Sequence, residues 1–167
     1  MERISIQEAW KKFNPEHVVL VITKNNKTEK LNIMPACWCM HSSFSPQLLV
    51  ISIGKTHYTH KLLSSTNEFV IAVPNKQLES LVKLTGSCSG RNVDKFKEAK
   101  IETEKAKKIN IPLIKKATIN FECKKYSSCD SGDHTIFIGK IIAAHYNKNK
   151  RILFDLNNGK FKEFKQG

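Results

Sequence analysis

No apolar run in this 167-residue sequence approaches the roughly 18 residues that a membrane-spanning helix requires. Charge interrupts every hydrophobic stretch, which argues against a membrane partner. Arginine is almost missing as well: the basic residues outnumber the acidic ones by 28 to 15, for a net charge of +13, yet only Arg3, Arg91 and Arg151 are arginine. Base readout and bidentate phosphate gripping favour the guanidinium, and the lysines are scattered from Lys11 to Lys165 without a dense block. Nucleic-acid binding is therefore disfavoured, and the charge reads as a lysine-rich solvated surface that favours phosphorylated ligands in general. The dinucleotide fingerprint G-x-G-x-x-G is absent. No internal repeat or linker divides the chain, so residues 1–167 are expected to form one domain with a real core. The opening "MERISIQEAWKKF" lacks the apolar stretch of a secretory signal, which leads to the expectation of a cytoplasmic protein. Cysteines number five, at 37, 39, 88, 123 and 129; an odd count in that compartment reads as reduced thiols rather than a disulfide framework.

What is present reads mainly as strands. "SIQE" at Ser5–Glu8 has capping-box spacing and starts a short helix to about Phe13, ended by Asn14-Pro15. "HVVLVITK" and "EKLNIM" form a hairpin across "NNKT", and "LLVISIG" and "EFVIAV" are strands separated by the helical "YTHKLLSS". Asn75 can cap "KQLESLVKLTG", whose Leu78, Leu81, Val82 and Leu84 share one face before Gly86 stops it, and Asp94 can start "DKFKEAK". "ETEKAKKIN" is a charged connector. "ATINFECKKY" alternates Ile119, Phe121 and Cys123 with Thr118, Asn120, Glu122 and Lys124, the pattern of a half-buried strand. "HTIFIGKIIAAHY" is a longer strand in which Gly139 marks a bulge or a close backbone approach. "RILFDL" follows through turns at "NKNK" and "NNG". Many strands, few short helices and hairpin spacing predict a mainly β, antiparallel sheet closed into a barrel.

The stretch "NIMPACWCMHSSFSP", residues 32–46, concentrates the most chemistry. If it is extended, Cys37, Cys39 and His41 share one face, with Ala36, Trp38 and Met40 on the other. Zinc or copper suits two thiolates and an imidazole, but ligands two apart on one strand match structural chelates poorly and a fourth ligand is not evident. Strand geometry and compartment disfavour a C-x-C disulfide. No nucleophile signature surrounds either cysteine, which leaves the wall of a ligand pocket.

Taken in order, "N-x-M-P-A-C-W-C … S-F-S-P", "LLVISIG", "KTHYTHKLL", "NEFVIAVPN", "GSCSGRNVDKFKEA" and "FECKKYSSCDSGDHTIFIGKI" resemble the flavin reductase-like family of FMN-binding split barrels, from about Val18 to Ala144. Flavoredoxins and ferric or flavin reductases are the most similar members. The resemblance implies a split β-barrel with a few short helices, a homodimer and one FMN per subunit near the subunit interface. It implies that Asn32, Met34, Ala36, Cys37, Trp38 and Cys39 wall the isoalloxazine and ribityl chain, followed by Ser52 and Ile53 on the next strand. Pro35 and Cys37 stand where the family usually carries threonine or a small hydroxyl residue. In "SIGKTHYTHK", Thr59 and the helix amides would take phosphate oxygens, with Lys55, His57 or Lys61 neutralising charge. Ser89, Gly90 and Lys95 would add phosphate or ribityl contacts. His134 matches a family histidine beside the flavin, and with Cys39 it is the candidate for shaping the approach of a nicotinamide or electron acceptor.

The implied function is an FMN-dependent oxidoreductase, moving electrons between NAD(P)H or a reduced protein and a flavin, ferric complex or protein acceptor. A non-enzymatic FMN-binding module and a basic nucleic-acid binder are the readings from other classes.

Overall fold

In the computed structural model, which describes residues 1–148, 151–157 and 159–164, the central sheet has seven antiparallel strands. In chain order they are β2 (Val19–Lys24), β3 (Leu31–Ala36), β4 (Cys39–Phe44), β5 (Gln47–Gly54), β6 (Glu68–Val73), β9 (Ile119–Ser131) and β10 (His134–Tyr146). Short strands complete the numbering: β1 (Glu16–His17), β7 (Thr103–Glu104), β8 (Leu113–Ile114), β11 (Ile152–Asp155) and β12 (Phe161–Phe164). The spatial order is β3-β2-β6-β9-β10-β5-β4, with β1-β11-β12 and β7-β8 as small satellite sheets.

The edges of that order are β3 and β4, consecutive in the chain and separated only by Cys37 and Trp38. Flat, seven strands would hold their edges about 29 Å apart. Two intervening residues span at most about 11 Å, so the sheet must curl until its edges meet. Alternating antiparallel pairs run β3 and β4 in the same direction, so this is one extended run that exchanges its partner β2 for β5 at a tight turn. There the amide of Cys39 donates to the Cys37 carbonyl (2.8 Å) and that of Ser52 to the Trp38 carbonyl (2.9 Å). The expected mainly β barrel is what the sequence forms.

Inside the barrel pack Val19, Val21, Leu49, Ile51, Ile53, Phe69, Ile71, Cys123 and Phe137, with Leu63 of helix α2 (Tyr58–Ser65) among them at one end. Gly139 makes this possible: a Cβ there would lie 2.4 Å from the Phe69 ring, and the ladder shifts register beside it. Outside, Leu20, Ile22, Ile33, Val70 and Ala72 form a second core under helix α3 (Glu79–Ser87) and the crossing segment 99–117. Helix α1 (Ile6–Lys12), capped by Ser5 on the Glu8 amide, buries no residue; helix α4 (Lys95–Glu98) is capped by Asp94 on the Lys97 amide.

Several local expectations are corrected. Val18 interrupts "HVVLVITK" between β1 and β2. Gly86 lies within the last turn of α3 rather than ending it, and Leu84 is 38% exposed, off the shared face. Asn75 caps a 3₁₀ turn (Lys76–Leu78) that precedes α3, and the charged connector contributes β7. The largest correction concerns the start of β9: Asn120 and Glu122, with Thr118 just before the strand, are buried, whereas Ile119 and Phe121 between them are only partly so. The polar side chains fasten loops. Asn120 brackets the Ile114 amide and carbonyl, and Glu122 accepts the Lys107 and Lys108 amides (2.9 and 2.7 Å) and His145 Nε2 (2.7 Å). Burial pushes the Glu122 carboxyl up, but those three donors outweigh it and hold it below the usual carboxylate range. Parts of the expected "NKNK" and "NNG" turns and of the tail lie outside the described residues. Among the described residues no helix is long and apolar enough to cross a membrane.

Candidate functional site

The seam between β3 and β4 forms one wall of a trough. Its first part, about 190 Å³, lies between Met34–Trp38, the end of β5 at Ser52–Gly54, His57 and His134. The second, about 380 Å³, runs from Asn32 and Met34 past the start of α2 to the loop Ser87–Arg91 and Lys95. Met34, Pro35 and His57 line both, so the two parts adjoin.

The first part is aromatic. Trp38 is half exposed, with its ring 4.8 Å from that of His134 and 6.4 Å from that of Trp10 on α1. His134 is oriented by a 2.7 Å contact from Nδ1 to Asp133. Gly54 forms bare backbone between two imidazoles, since a Cβ there would sit 3.1 Å from His57 Nδ1 and 3.5 Å from His134 Nε2.

The second part is lined by polar and basic groups. His57 occupies the cap position of α2 but makes no side-chain capping bond, leaving the first helical amides for an external acceptor. Thr59, 2% exposed, accepts a 2.9 Å bond from Asn32 Nδ2, so its hydroxyl proton remains available. Gly90 closes against Asn32 so tightly that a Cβ would lie 2.1 Å from Asn32 Oδ1. Lys95 is 3% exposed and its Nζ donates to the Thr85 carbonyl (2.5 Å). Among the described residues no carboxylate pairs with it, and burial, weakly opposed by Cys88, pulls its pKa down. An ammonium has three donors, of which the Thr85 carbonyl takes one, so Lys95 can also donate into the trough it lines. Arg91 reaches across the opening to the Thr56 carbonyl (3.4 Å).

Of the residues expected at a cofactor, Asn32, Met34, Ala36, Cys37, Trp38, Ser52, Ile53, His57, Thr59, Ser89, Gly90, Lys95 and His134 are brought together along this trough. Three stand elsewhere. Lys55 pairs with Asp130 at 3.4 Å, Lys61 is exposed on α2, and Cys39 turns into the barrel. Cys37, Cys39 and His41 all line a separate cavity at the barrel end away from α2, but not as one strand face: Met40 lines it with them, and Cys37, in the turn, packs against the outer core whereas Cys39 packs against the inner one. Burial pushes the Cys39 thiol up to about 12; burial, then Asp155 and Glu16, do the same for Cys37. Among the described residues no three His, Cys, Asp or Glu side chains form a group that could hold a metal. Sequence reading missed Trp10, Gly54 and Arg91. Arg91 had a signal, being one of three arginines and inside the quoted "SGRN".

Comparison with known proteins follows this geometry. The family model described as flavin reductase like domain matches residues 12–164. An uncharacterised protein of Archaeoglobus fulgidus is 40% identical over 114 residues, covering 68% of this chain and 64% of its own length. The NADH:FAD oxidoreductase of Streptomyces globisporus superposes with a TM-score of 0.85 at 23% identity over 99% of each chain. A flavoredoxin from Methanosarcina acetivorans does so with 0.81 at 22%, over 100% of this chain and 94% of its own.

Proposed function

The chain belongs to the flavin reductase-like family, and from that premise we propose that it is an FMN-binding oxidoreductase. Electrons would pass between NAD(P)H or a reduced protein and a flavin, ferric complex or protein acceptor. The observation that carries this reading is the polarity of the trough. One end offers Trp38, Gly54 and His134 for a flat ring, and the other offers a buried, carboxylate-free Lys95 beside uncapped helix amides. These residues fit a phosphorylated flavin, whose ring supplies the hydride and electron chemistry when bound. The chain's own groups then divide the work. Lys95, Thr59, the α2 amides and Arg91 would hold the phosphate, Met34–Trp38 and Gly54 would flank the ring system, and His134, fixed by Asp133, would leave Nε2 free to face it. The phosphate end favours FMN over FAD on charge: a terminal monoester carries close to two negative charges near pH 7, whereas each phosphate of the dinucleotide carries one. Lys95 and Arg91 match the former.

Titration of the purified chain should show FMN binding at least tenfold tighter than riboflavin, followed by fluorescence quenching. Bleaching of the bound flavin by NADH, NADPH or a reduced ferredoxin then identifies the donor. Equal affinity for FMN and riboflavin overturns the phosphate assignment; flavin that no donor reduces favours a binding module. Gly90→Ala should lose most FMN affinity, because Asn32 must leave its place between Thr23 and Thr59.

A homodimer belongs to the same proposal. Met40 (66% exposed), Val50 and Ile138 stand in register across β4, β5 and β10, next to Trp38, and leave an apolar row partly open. A second copy would cover it and add a wall to the shallow ring end. Light scattering at micromolar concentration should give twice the chain mass; a monomer with full FMN affinity removes this part.

A further inference from the structure

The cavity at the barrel end away from α2 has about 490 Å³, more than either part of the trough. Leu63 plugs one end, and among the described residues no such side chain fills the other. Its walls are the strand ends carrying Val19, Leu49, Ile71, Val73, Ile119 and Phe121, with Cys37 and Cys39 as neutral, polarisable surface. Polar groups stand at the rim: Glu16 and His17 of β1, and His41 of β4. His17 packs edge-on against Phe154 (4.4 Å), and burial, then the nearby His41, lower its pKa, so its imidazole is neutral near pH 7.

Charge distinguishes this cavity from the trough. No lysine or arginine lines it among the described residues, although the chain carries +13. Glu16 instead faces Asp155 across the β1–β11 pair, and Asp155 contacts Cys37 Sγ at 3.8 Å. Nucleotides and other phosphorylated molecules find no counter-charge here and two carboxylates against them. Apolar walls, a size within the range of small-molecule pockets and a few convergent polar groups at one end are the features of a ligand site.

We propose that the barrel mouth is a second binding site, for a small uncharged aromatic molecule of one or two rings whose hydroxyl or carbonyl meets His17 and His41. Cys37 lines both this cavity and the ring end of the trough, so the two sites adjoin at the turn between β3 and β4. The proposal stands whether or not the trough takes a flavin.

The probe is 2-naphthol, titrated into the full chain by methyl NMR, with 2-naphthoate as its anionic counterpart. Saturable one-to-one shifts are expected at Leu49, Ile71, Ile119 and Ile152, unaffected by excess inorganic phosphate, with 2-naphthoate at least tenfold weaker. Val73→Trp, at a half-buried wall position, should abolish binding. Glu16→Gln, an exchange at the rim that leaves the core intact, should bring 2-naphthoate closer to 2-naphthol. Absence of saturable shifts overturns the proposal, as do shifts confined to Met34 and Ile53, displacement by phosphate, or naphthoate binding as well as naphthol. So does loss of naphthol binding as a dimer forms, because the occupant is then a second copy of the chain.

Discussion

Replacing Glu122 with alanine is expected to lower the unfolding free energy by about 3–5 kcal/mol, because three donors lose their buried acceptor at about 1–3 kcal/mol each. The side chain is fully inaccessible and is the acceptor for the Lys107 amide, the Lys108 amide and His145. In a domain with about 5–15 kcal/mol in total this is a large fraction, and the melting midpoint should fall by about 6–20 °C. Urea denaturation with an unchanged m-value checks it; a loss below about 1 kcal/mol would show that water replaces the carboxylate freely. The pH dependence has a definite sign. The carboxyl is held below its usual range when folded, so its stabilisation is complete above the unfolded value of about 4.3 and is lost as pH falls through the folded one. Glu122→Gln should flatten that part of the wild-type stability curve.

Lys95→Met is expected to move stability and ligand affinity in opposite directions. The ligand-free chain should gain about 1 kcal/mol, because a desolvated ammonium without a carboxylate partner is replaced by an apolar side chain of similar length. FMN affinity should fall about 10- to 150-fold, from the loss of one charge-assisted bond of about 1.5–3 kcal/mol. Riboflavin affinity should not change. A structural role alone would weaken both ligands and lower the melting midpoint, so equal losses for FMN and riboflavin would reject the phosphate contact.

Strand content and helix starts were legible in the sequence because local rules decide them. Ser5 and Asp94 act as the caps that their spacing suggested, Asn75 caps the 3₁₀ turn that leads into α3, and Gly139 approaches another side chain as a glycine within a strand suggests. The burial of Thr118, Asn120 and Glu122 was not legible. Alternation of polar and apolar residues is the signature of a one-sided strand, and the partners that make a second, polar interior tolerable are distant in sequence: backbone groups 6 to 15 residues away for Asn120 and Glu122, and the Arg151 carbonyl for Thr118. At the site, residues on a contiguous motif were found together, whereas Cys39 was separated from Trp38 by the direction of a single side chain. Trp10 escaped notice because nothing local ties α1 to Trp38.

A seam of two residues also has a parity. Insertion or deletion of one residue between Ala36 and Cys39 would exchange the two faces of β4, turning Cys39 and His41 outward and Met40 into the barrel. A change of two would restore the faces but slide β4 along β5 by about 7 Å. Segment 99–112 is held by side-chain brackets, a two-residue strand pair and a few buried apolar residues, and does not close the barrel, so it has no such arithmetic. Length variation among descendants of this chain should therefore collect in that segment and spare the seam, where the barrel counts its residues.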